Sequence, residues 1–116
     1  MSPGFIDMND HSYFSLLVDG RAESKIRQGV TTAICGEVNA PAPMDTVRLD
    51  EMKKFADDYD LTIDWSNLNG YYRRLQGQGI SINYASYTSA NQIRKLVVGM
   101  EDRKPTVEEM QEMKRL

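Results

Sequence analysis

The chain has 116 residues, the length of one small domain, and its hydrophobic and charged fractions of 41% and 27% are those of an ordinary globular protein. The net charge of −3, with both signs interspersed, argues against a nucleic-acid surface. No apolar run approaches the roughly 20 residues of a membrane span, and no secretory signal is predicted. A lone cysteine excludes an intramolecular disulfide and favours a reducing, cytoplasmic compartment.

The first predicted element is a strand over residues 4–8, an apolar run with the length of one buried strand. A polar segment follows this strand and carries the only histidine, His11. A strand whose carboxyl end presents Asn, Asp and His side chains together is typical of α/β barrels, which place metal and catalytic groups there. The alternative, from spacing alone, is a strand followed by a polar turn in which His11 is solvated.

A strand–helix–strand unit continues the chain. A helix capped by Asp19 is predicted over 21–28, with Gly29 just past its end. A second strand is predicted over 30–35 and, being β-branched and apolar, is expected to be buried on both faces. Such a βαβ unit is expected to be right-handed, with parallel strands. The stretch 38–64 is then predicted as a loop, a short helix and another loop.

The remaining residues are predicted to form a helix, a strand and two further helices. The first helix begins at Asp64 or Ser66 and places its paired tyrosines in the core, with their hydroxyls reaching the edge. A third strand follows over 80–87. Capping boxes at 89–92 and 106–109 begin the last two helices. The last helix has an apolar stripe made of Val107, Met110 and Met113.

Several stretches also match, in the same order, the motifs of one family. They are P-G-F-I-D at 3–7, R-A-E-S-K-I-R-Q-G at 21–29, V-T-T at 30–32, A-P-A-P at 40–43, G-I-S-I-N-Y-A at 79–85 and R-K-P-T-V-E-E-M at 103–110. Together they resemble the N-acyl-D-amino-acid deacylases, the D-aminoacylase branch of the metal-dependent amidohydrolases. In that family a P-G-F-I-D-x-H-x-H strand opens the barrel. The resemblance covers nearly the whole chain.

The resemblance implies an α/β fold, namely the first three β/α units of a TIM-type (β/α) barrel, with parallel strands in the order 1-2-3 and helices on one face. Because a whole barrel needs about 200 residues or more, residues 1–116 are expected to be the N-terminal part of that barrel domain, a fragment. In the family, bound zinc polarises an amide carbonyl and activates water, which hydrolyses the non-peptide C–N bond of an N-acyl-D-amino acid. The implied partner is therefore a small-molecule N-acyl amino acid.

The departures from the family pattern fall on the metal site. The H-x-H pair maps onto Asn9 and His11, the acidic residue two positions further on is Tyr13, and the metal-binding cysteine falls at Val38. Asparagine is a poor zinc ligand and valine is none. Cys35 lies three residues upstream of Val38 and is not treated as a substitute. His11 is thus the one metal ligand implied, and zinc is expected to bind weakly if at all.

No catalytic residue and no organic-cofactor residue is predicted. Asp10, Ser12 and Ser15 lie near His11 without the nucleophile elbow of a serine hydrolase, and Cys35 at the end of a buried strand is expected to be inert. The resemblance gives Asp7 either a structural role or a role in supporting the metal ligands. The chain alone is expected to be inactive and to self-associate. The alternative is a non-catalytic interaction fragment, or one part of a split barrel that assembles with a complementary chain.

Overall fold

The computed structural model describes residues 3–116 and has an α/β architecture; Met1 and Ser2 of the predicted domain 1–116 lie outside the described residues. The strands are β1 (Phe5–Asp10), β2 (Val30–Cys35) and β3 (Asn83–Ser86). The helices are α1 (Ser15–Val18), α2 (Glu23–Ile26), α3 (Thr46–Asp57), α4 (Leu68–Gln78), α5 (Ala90–Val97) and α6 (Val107–Arg115). No helix within 3–116 is long and apolar enough to cross a membrane.

The three strands form one open sheet in the order β1-β2-β3, and both pairings are parallel. This topology confirms the predicted parallel arrangement. β3 is shorter than the predicted 80–87 because the chain before it pairs elsewhere. The Ser81 N–H donates to the Gly20 carbonyl at 2.9 Å, so this backbone group serves a loop contact and not the ladder with β2.

The hydrophobic core lies on one side of the sheet. Its cluster joins Ala33 of β2 to side chains of α1, α4 and the adjoining loops, among them Leu16, Leu17, Trp65, Tyr71, Leu75 and Ile82. On β1, Ile6 and Met8 remain 58% and 52% exposed. The prediction that β2 is buried on both faces is therefore wrong. Ala33 and Cys35 are buried, but Thr32 and Ile34 are only partly covered, because packing covers one face and leaves the other open.

The predicted helix 21–28 is wrong in length and in its cap. α2 has four residues, and Ala22 before it has a left-handed backbone with φ of +48°. The Asp19 carboxylate does not cap α2; it accepts hydrogen bonds from the backbone and the guanidinium of Arg21. The chain therefore turns between Asp19 and Glu23, and this turn breaks the helix that the periodicity predicted.

Local caps determine where the longer helices begin. The Asp45 carboxylate accepts from the Arg48 N–H at 2.6 Å and begins α3. Asn67, and not the predicted Asp64 or Ser66, caps α4 through the Gly70 N–H at 2.9 Å. The 106–109 capping box is complete, as predicted, with reciprocal bonds between Thr106 and Glu109.

The 89–92 capping box is only half formed. The Ser89 hydroxyl accepts from the Gln92 N–H at 3.4 Å and caps α5. The Gln92 side chain, however, leaves the cap and bonds to the distant loop that follows β2. The predicted reciprocal bond is wrong because the Gln92 amide bonds to the Ala40 N–H and the Pro43 carbonyl instead.

Candidate functional site

The carboxyl ends of the three strands lie side by side. Asp10 pairs with Cys35, and Cys35 pairs with Ser86, so each strand ends at the same edge of the sheet. Gly36 allows β2 and the segment after β3 to come close there, since a Cβ at this position would lie 2.0 Å from the Tyr87 carbonyl oxygen. In open α/β sheets this edge is where ligands bind. It is the candidate site of this chain.

His11 follows directly after β1 and is exposed at this edge, as is Asn9. Asp10 between them is 2% exposed and faces the covered side of the sheet. Within residues 3–116 the His11 imidazole makes no hydrogen bond, although its charge contributes to lowering the pKa of Asp7. The structure thus places His11 at the predicted edge, where its imidazole has no hydrogen-bond partner among the described residues.

Lys25 forms a partly buried ion-pair cluster with Asp7 and Asp10 beneath the edge. Its Nζ lies 2.5 Å from an Asp7 oxygen and 2.5 Å from an Asp10 oxygen. The second Asp10 oxygen accepts from the Ser12 N–H at 3.0 Å and from the Ser12 hydroxyl at 2.6 Å. The cluster attaches α2 to β1 and fixes the first residues of the loop that carries His11.

The pKa values in this cluster follow from its contacts. The hydrogen bond from Lys25 is the main cause that lowers the pKa of Asp7, against a smaller opposing effect of burial. Burial disfavours the charged form of Lys25, but the hydrogen bonds to Asp10 and Asp7 outweigh burial and raise its pKa. Lys25 is therefore charged at neutral pH and is not a candidate base.

Cys35 lies at the edge but is buried. Its Sγ donates to the Asn39 carbonyl at 3.4 Å, and burial raises the pKa of the thiol. A raised pKa keeps the sulfur protonated, whereas metal binding and nucleophilic attack both need the thiolate. Val38, at the position of the family's cysteine ligand, is half exposed, and its carbonyl accepts from the Ser89 hydroxyl at 2.8 Å.

The described residues contain no group of three or more His, Cys, Asp or Glu side chains arranged to hold a metal ion. Catalytic zinc sites use three protein ligands. Here His11 has an asparagine and a valine at the implied neighbouring ligand positions, and the nearby carboxylates of Asp7 and Asp10 are paired with Lys25. The residues of 3–116 therefore do not by themselves fit a zinc centre.

Two tyrosines of α4 support the edge from below. The buried Tyr71 hydroxyl donates to the Tyr13 carbonyl at 2.6 Å, and the Tyr72 hydroxyl accepts from the Ser86 N–H at 3.0 Å. The paired tyrosines were predicted to lie in the core with hydroxyls reaching the edge, and these contacts confirm that placement. They hold the segments after β1 and at the end of β3 in position.

Gln92 and Trp65 hold the loop after β2, and sequence reasoning missed both roles. The Gln92 side chain accepts from the Ala40 N–H at 3.0 Å and donates to the Pro43 carbonyl. Trp65 Nε1 donates to the Pro41 carbonyl at 3.0 Å. The only signal was the density of prolines in this loop, since a backbone with few N–H donors leaves carbonyls that distant side chains must satisfy.

The chain resembles solved structures of D-aminoacylase over 99% of its length. One, described as defining a novel subset of amidohydrolases, is 25% identical with a TM-score of 0.70. A second, from work on the binuclear metal center of D-aminoacylase with one-metal activation and second-metal attenuation, is 27% identical with a TM-score of 0.72. A third is an aspartate-to-alanine mutant of D-aminoacylase in complex with copper chloride, 25% identical with a TM-score of 0.69.

The chain spans 24% of the length of each of these D-aminoacylase chains. No protein-family model matches the sequence, and no curated protein sequence matches it. The resemblance to the D-aminoacylases predicted from the sequence motifs is confirmed by these structures. The D-aminoacylase structures that the chain resembles are described as a subset of amidohydrolases and as having a binuclear metal center.

Proposed function

We propose that this chain, whose structural relatives are D-aminoacylases, represents the N-terminal β/α units of a TIM-type amidohydrolase barrel domain. The parent activity is metal-dependent hydrolysis of the amide bond of N-acyl-D-amino acids, and the chain on its own is inactive. A cytoplasmic location fits its single, free and buried cysteine.

One observation carries this proposal. The match to D-aminoacylase extends over 99% of the chain at 25–27% identity, and it includes the parallel edge at which β1 delivers His11. Fold alone does not imply function. Here the same stretches that carry the sequence motifs also form β1, α2, β2, β3 and α6, so motif and fold support the same family.

His11 is the residue of this chain that would contribute to a metal centre. In a complete amidohydrolase site the metal would polarise the amide carbonyl and activate water. Asn9 would contribute an amide oxygen in place of an imidazole, and Val38 would contribute nothing. We therefore propose that zinc binds the isolated chain more weakly than about micromolar.

Calorimetric titration with zinc tests the metal proposal. The chain, Asn9→His and His11→Ala are compared under the same conditions. Asn9→His is expected to strengthen binding only modestly, because two ligands still fall short of a catalytic set. A stoichiometric site tighter than about micromolar in the unmodified chain, lost in His11→Ala, would contradict this reading of the ligands.

An activity assay on N-acetyl-D-amino acids tests the rest. The isolated chain is expected to release no free D-amino acid. Release that is abolished by His11→Ala would show that the chain is active. The family assignment is tested separately by a chimera in which the chain replaces the matching quarter of a D-aminoacylase. A chimera that folds and still binds metal through the ligands of the unreplaced part supports the barrel assignment. A chimera that cannot fold argues against it.

The exposed open face favours a second candidate. Ile6 and Met8 on β1 are more than half exposed, as is Val107 on α6 at 70%. A non-catalytic interaction fragment, or one part of a split barrel, would cover such residues with a complementary chain. Co-expression with a chain carrying the remaining barrel strands decides between the split barrel and the interaction fragment. A stable complex with hydrolase activity supports a split enzyme, and a stable complex without activity supports an interaction fragment.

A further inference from the structure

A pocket of about 280 Å³ lies between the segment after His11 and α3. It is open to solvent and is close to the lower end of the size range of small-molecule sites. Its lining includes both polar and aromatic side chains. The pocket is lined by Tyr13, Phe14, Arg48, Glu51, Met52 and Phe55.

Arg48 is a half-buried cation whose hydrogen bonds go to neutral groups. Its guanidinium donates to the Asn39 side-chain oxygen at 3.1 Å, the Tyr13 hydroxyl at 3.2 Å and the Ala40 carbonyl at 3.3 Å. Within residues 3–116 no carboxylate lies within ion-pair distance of it. Its Nε is buried and has no hydrogen-bond partner. The positive charge is therefore held in place but not neutralised by the protein.

Tyr13, which also lines the pocket, offers a further donor next to Arg48. Its hydroxyl accepts from Arg48, and a phenol that accepts one hydrogen bond still has its own hydrogen to donate. A carboxylate placed against Arg48 and Tyr13 would receive charge-assisted hydrogen bonds, which are stronger than neutral ones. Arg48 and Tyr13 are thus together suited to binding a single anionic group.

The aromatic side chains of the lining are already ordered by contacts with one another. The Phe14 ring packs edge-on against Phe55, with centroids 5.4 Å apart, and against Tyr59 at 5.8 Å. Phe55 nonetheless remains 58% exposed, so much of its surface faces solvent. The apolar part of a ligand, placed against the Phe14 and Phe55 rings, would bury aromatic surface that the protein leaves uncovered.

We propose that this pocket binds a small monocarboxylate with an aromatic or aliphatic body. The carboxylate contacts Arg48 and Tyr13, and the body packs on Phe14, Phe55 and Met52. Glu51, which also lines the pocket, disfavours a second negative charge on the ligand. The proposal is independent of the hydrolase assignment, because it uses no metal and neither Asn9 nor His11.

The first test varies the probe and leaves the protein unchanged. Binding of 3-phenylpropionate is compared with that of its neutral amide, 3-phenylpropanamide, by NMR titration of the full chain. The carboxylate is expected to bind with roughly millimolar affinity, since a ligand of this size makes few contacts. The amide is expected to bind at least about tenfold more weakly. Equal binding of the two probes, or no saturation by the acid, would overturn the proposal.

The second test varies the protein. Arg48→Gln is expected to remove the preference for the acid over the amide, and Phe55→Ala to weaken both probes by a similar factor. Arg73→Gln on α4 is the matched charge control, and Val47→Ala on α3 is the matched exposed apolar control. Because Arg48 also supports neighbouring loops, the folding of Arg48→Gln is checked by thermal unfolding. If Arg48→Gln does not fold, the binding of both probes to Phe55→Ala decides the test. Unchanged binding of both probes to Phe55→Ala would overturn the proposal that the apolar part of the ligand packs on Phe55.

Discussion

Lys25 is the residue on which the carboxyl end of β1 depends. Its ammonium contacts both Asp7 and Asp10, and the Asp10 side chain is almost fully removed from solvent. A buried carboxylate is tolerated when it is paired and hydrogen-bonded, and here Lys25 and Ser12 provide those contacts. The cluster stabilises β1 mainly by avoiding an unpaired buried charge.

Removing the ammonium should therefore be costly. Lys25→Met keeps most of the side-chain length but leaves Asp10 buried without a counter-ion, and we expect a loss of about 3 kcal/mol in the free energy of unfolding. Urea denaturation at neutral pH measures this loss. Lys53→Met, an exposed lysine of α3 outside any ion pair of the described residues, is the control and is expected to change little. Equal stability of the two variants would contradict the role of Lys25.

Asp7 should make stability depend on acid pH. Lys25 lowers its pKa below the ordinary 3.8, so the folded protein holds this proton less tightly than the unfolded chain. The resulting stabilisation is present above about pH 4 and is lost as the pH falls through the lowered pKa. Asp7→Asn is expected to flatten the curve of unfolding free energy against pH in that window. An unchanged slope in Asp7→Asn would contradict this prediction.

At the scale of elements, α6 combines a strong local start with weak packing. Its capping box at Thr106 and Glu109 is complete, and Arg103 adds an ion pair to Glu109 at 2.6 Å. No residue of α6 is fully buried, and Val107 is 70% exposed. The helix is therefore maintained by its cap and by contact with α5 more than by the core.

Removing the cap should loosen α6 locally. Thr106→Ala is expected to cost about 1 kcal/mol of helix stability, which is about a fivefold faster amide hydrogen exchange in α6. The exchange of β2 amides should not change, because α6 does not belong to the core cluster. Thr62→Ala, in the loop before α4, is the matched control. Faster exchange throughout the sheet would show that α6 unfolds together with the core.

For the whole molecule, the uncovered apolar residues are the dominant feature. Phe5, Ile6 and Met8 on β1 are exposed, and the apolar stripe of α6 is partly so. Contiguous exposed apolar surface of more than a few hundred Å² marks an interface or an aggregation hazard. β1 and β3 are also the edges of the open sheet, where unpaired backbone groups can add another strand.

Self-association is therefore expected. Light scattering behind a sizing column should detect dimers or larger species at micromolar concentration. The double variant Ile6→Lys with Met8→Lys should shift the distribution towards monomer, because charged side chains protect an open sheet. Val47→Lys, an equally exposed position on α3, is the control. A monodisperse monomer with a cooperative melt in the unmodified chain would contradict the partial-barrel interpretation.

Local signals were sufficient for much of the architecture. Short apolar runs predicted β1 and β2, and helical periodicity predicted α4 and α5. The order and direction of the strands came from the βαβ unit and the family resemblance. The 106–109 capping box predicted the start of α6 correctly, because its donors and acceptors lie within three residues of one another. The position of His11 at the edge was also predicted from local sequence, since His11 comes directly after β1 and only the end of that strand had to be known.

Tertiary contacts decided what the sequence by itself left open. Lys25 meets Asp7 across 18 residues, Gln92 meets Ala40 across 52, and Tyr71 meets Tyr13 across 58. No local pattern predicts these pairs, because each is selected by which buried polar group lacks a partner once the helices pack on one face of the sheet. The same packing left β2 open on one side, whereas the local turn between Asp19 and Glu23 shortened α2. The sequence thus predicted the strands, the longer helices and the family they resemble, whereas burial and hydrogen-bond satisfaction in three dimensions determined the side-chain contacts around the site.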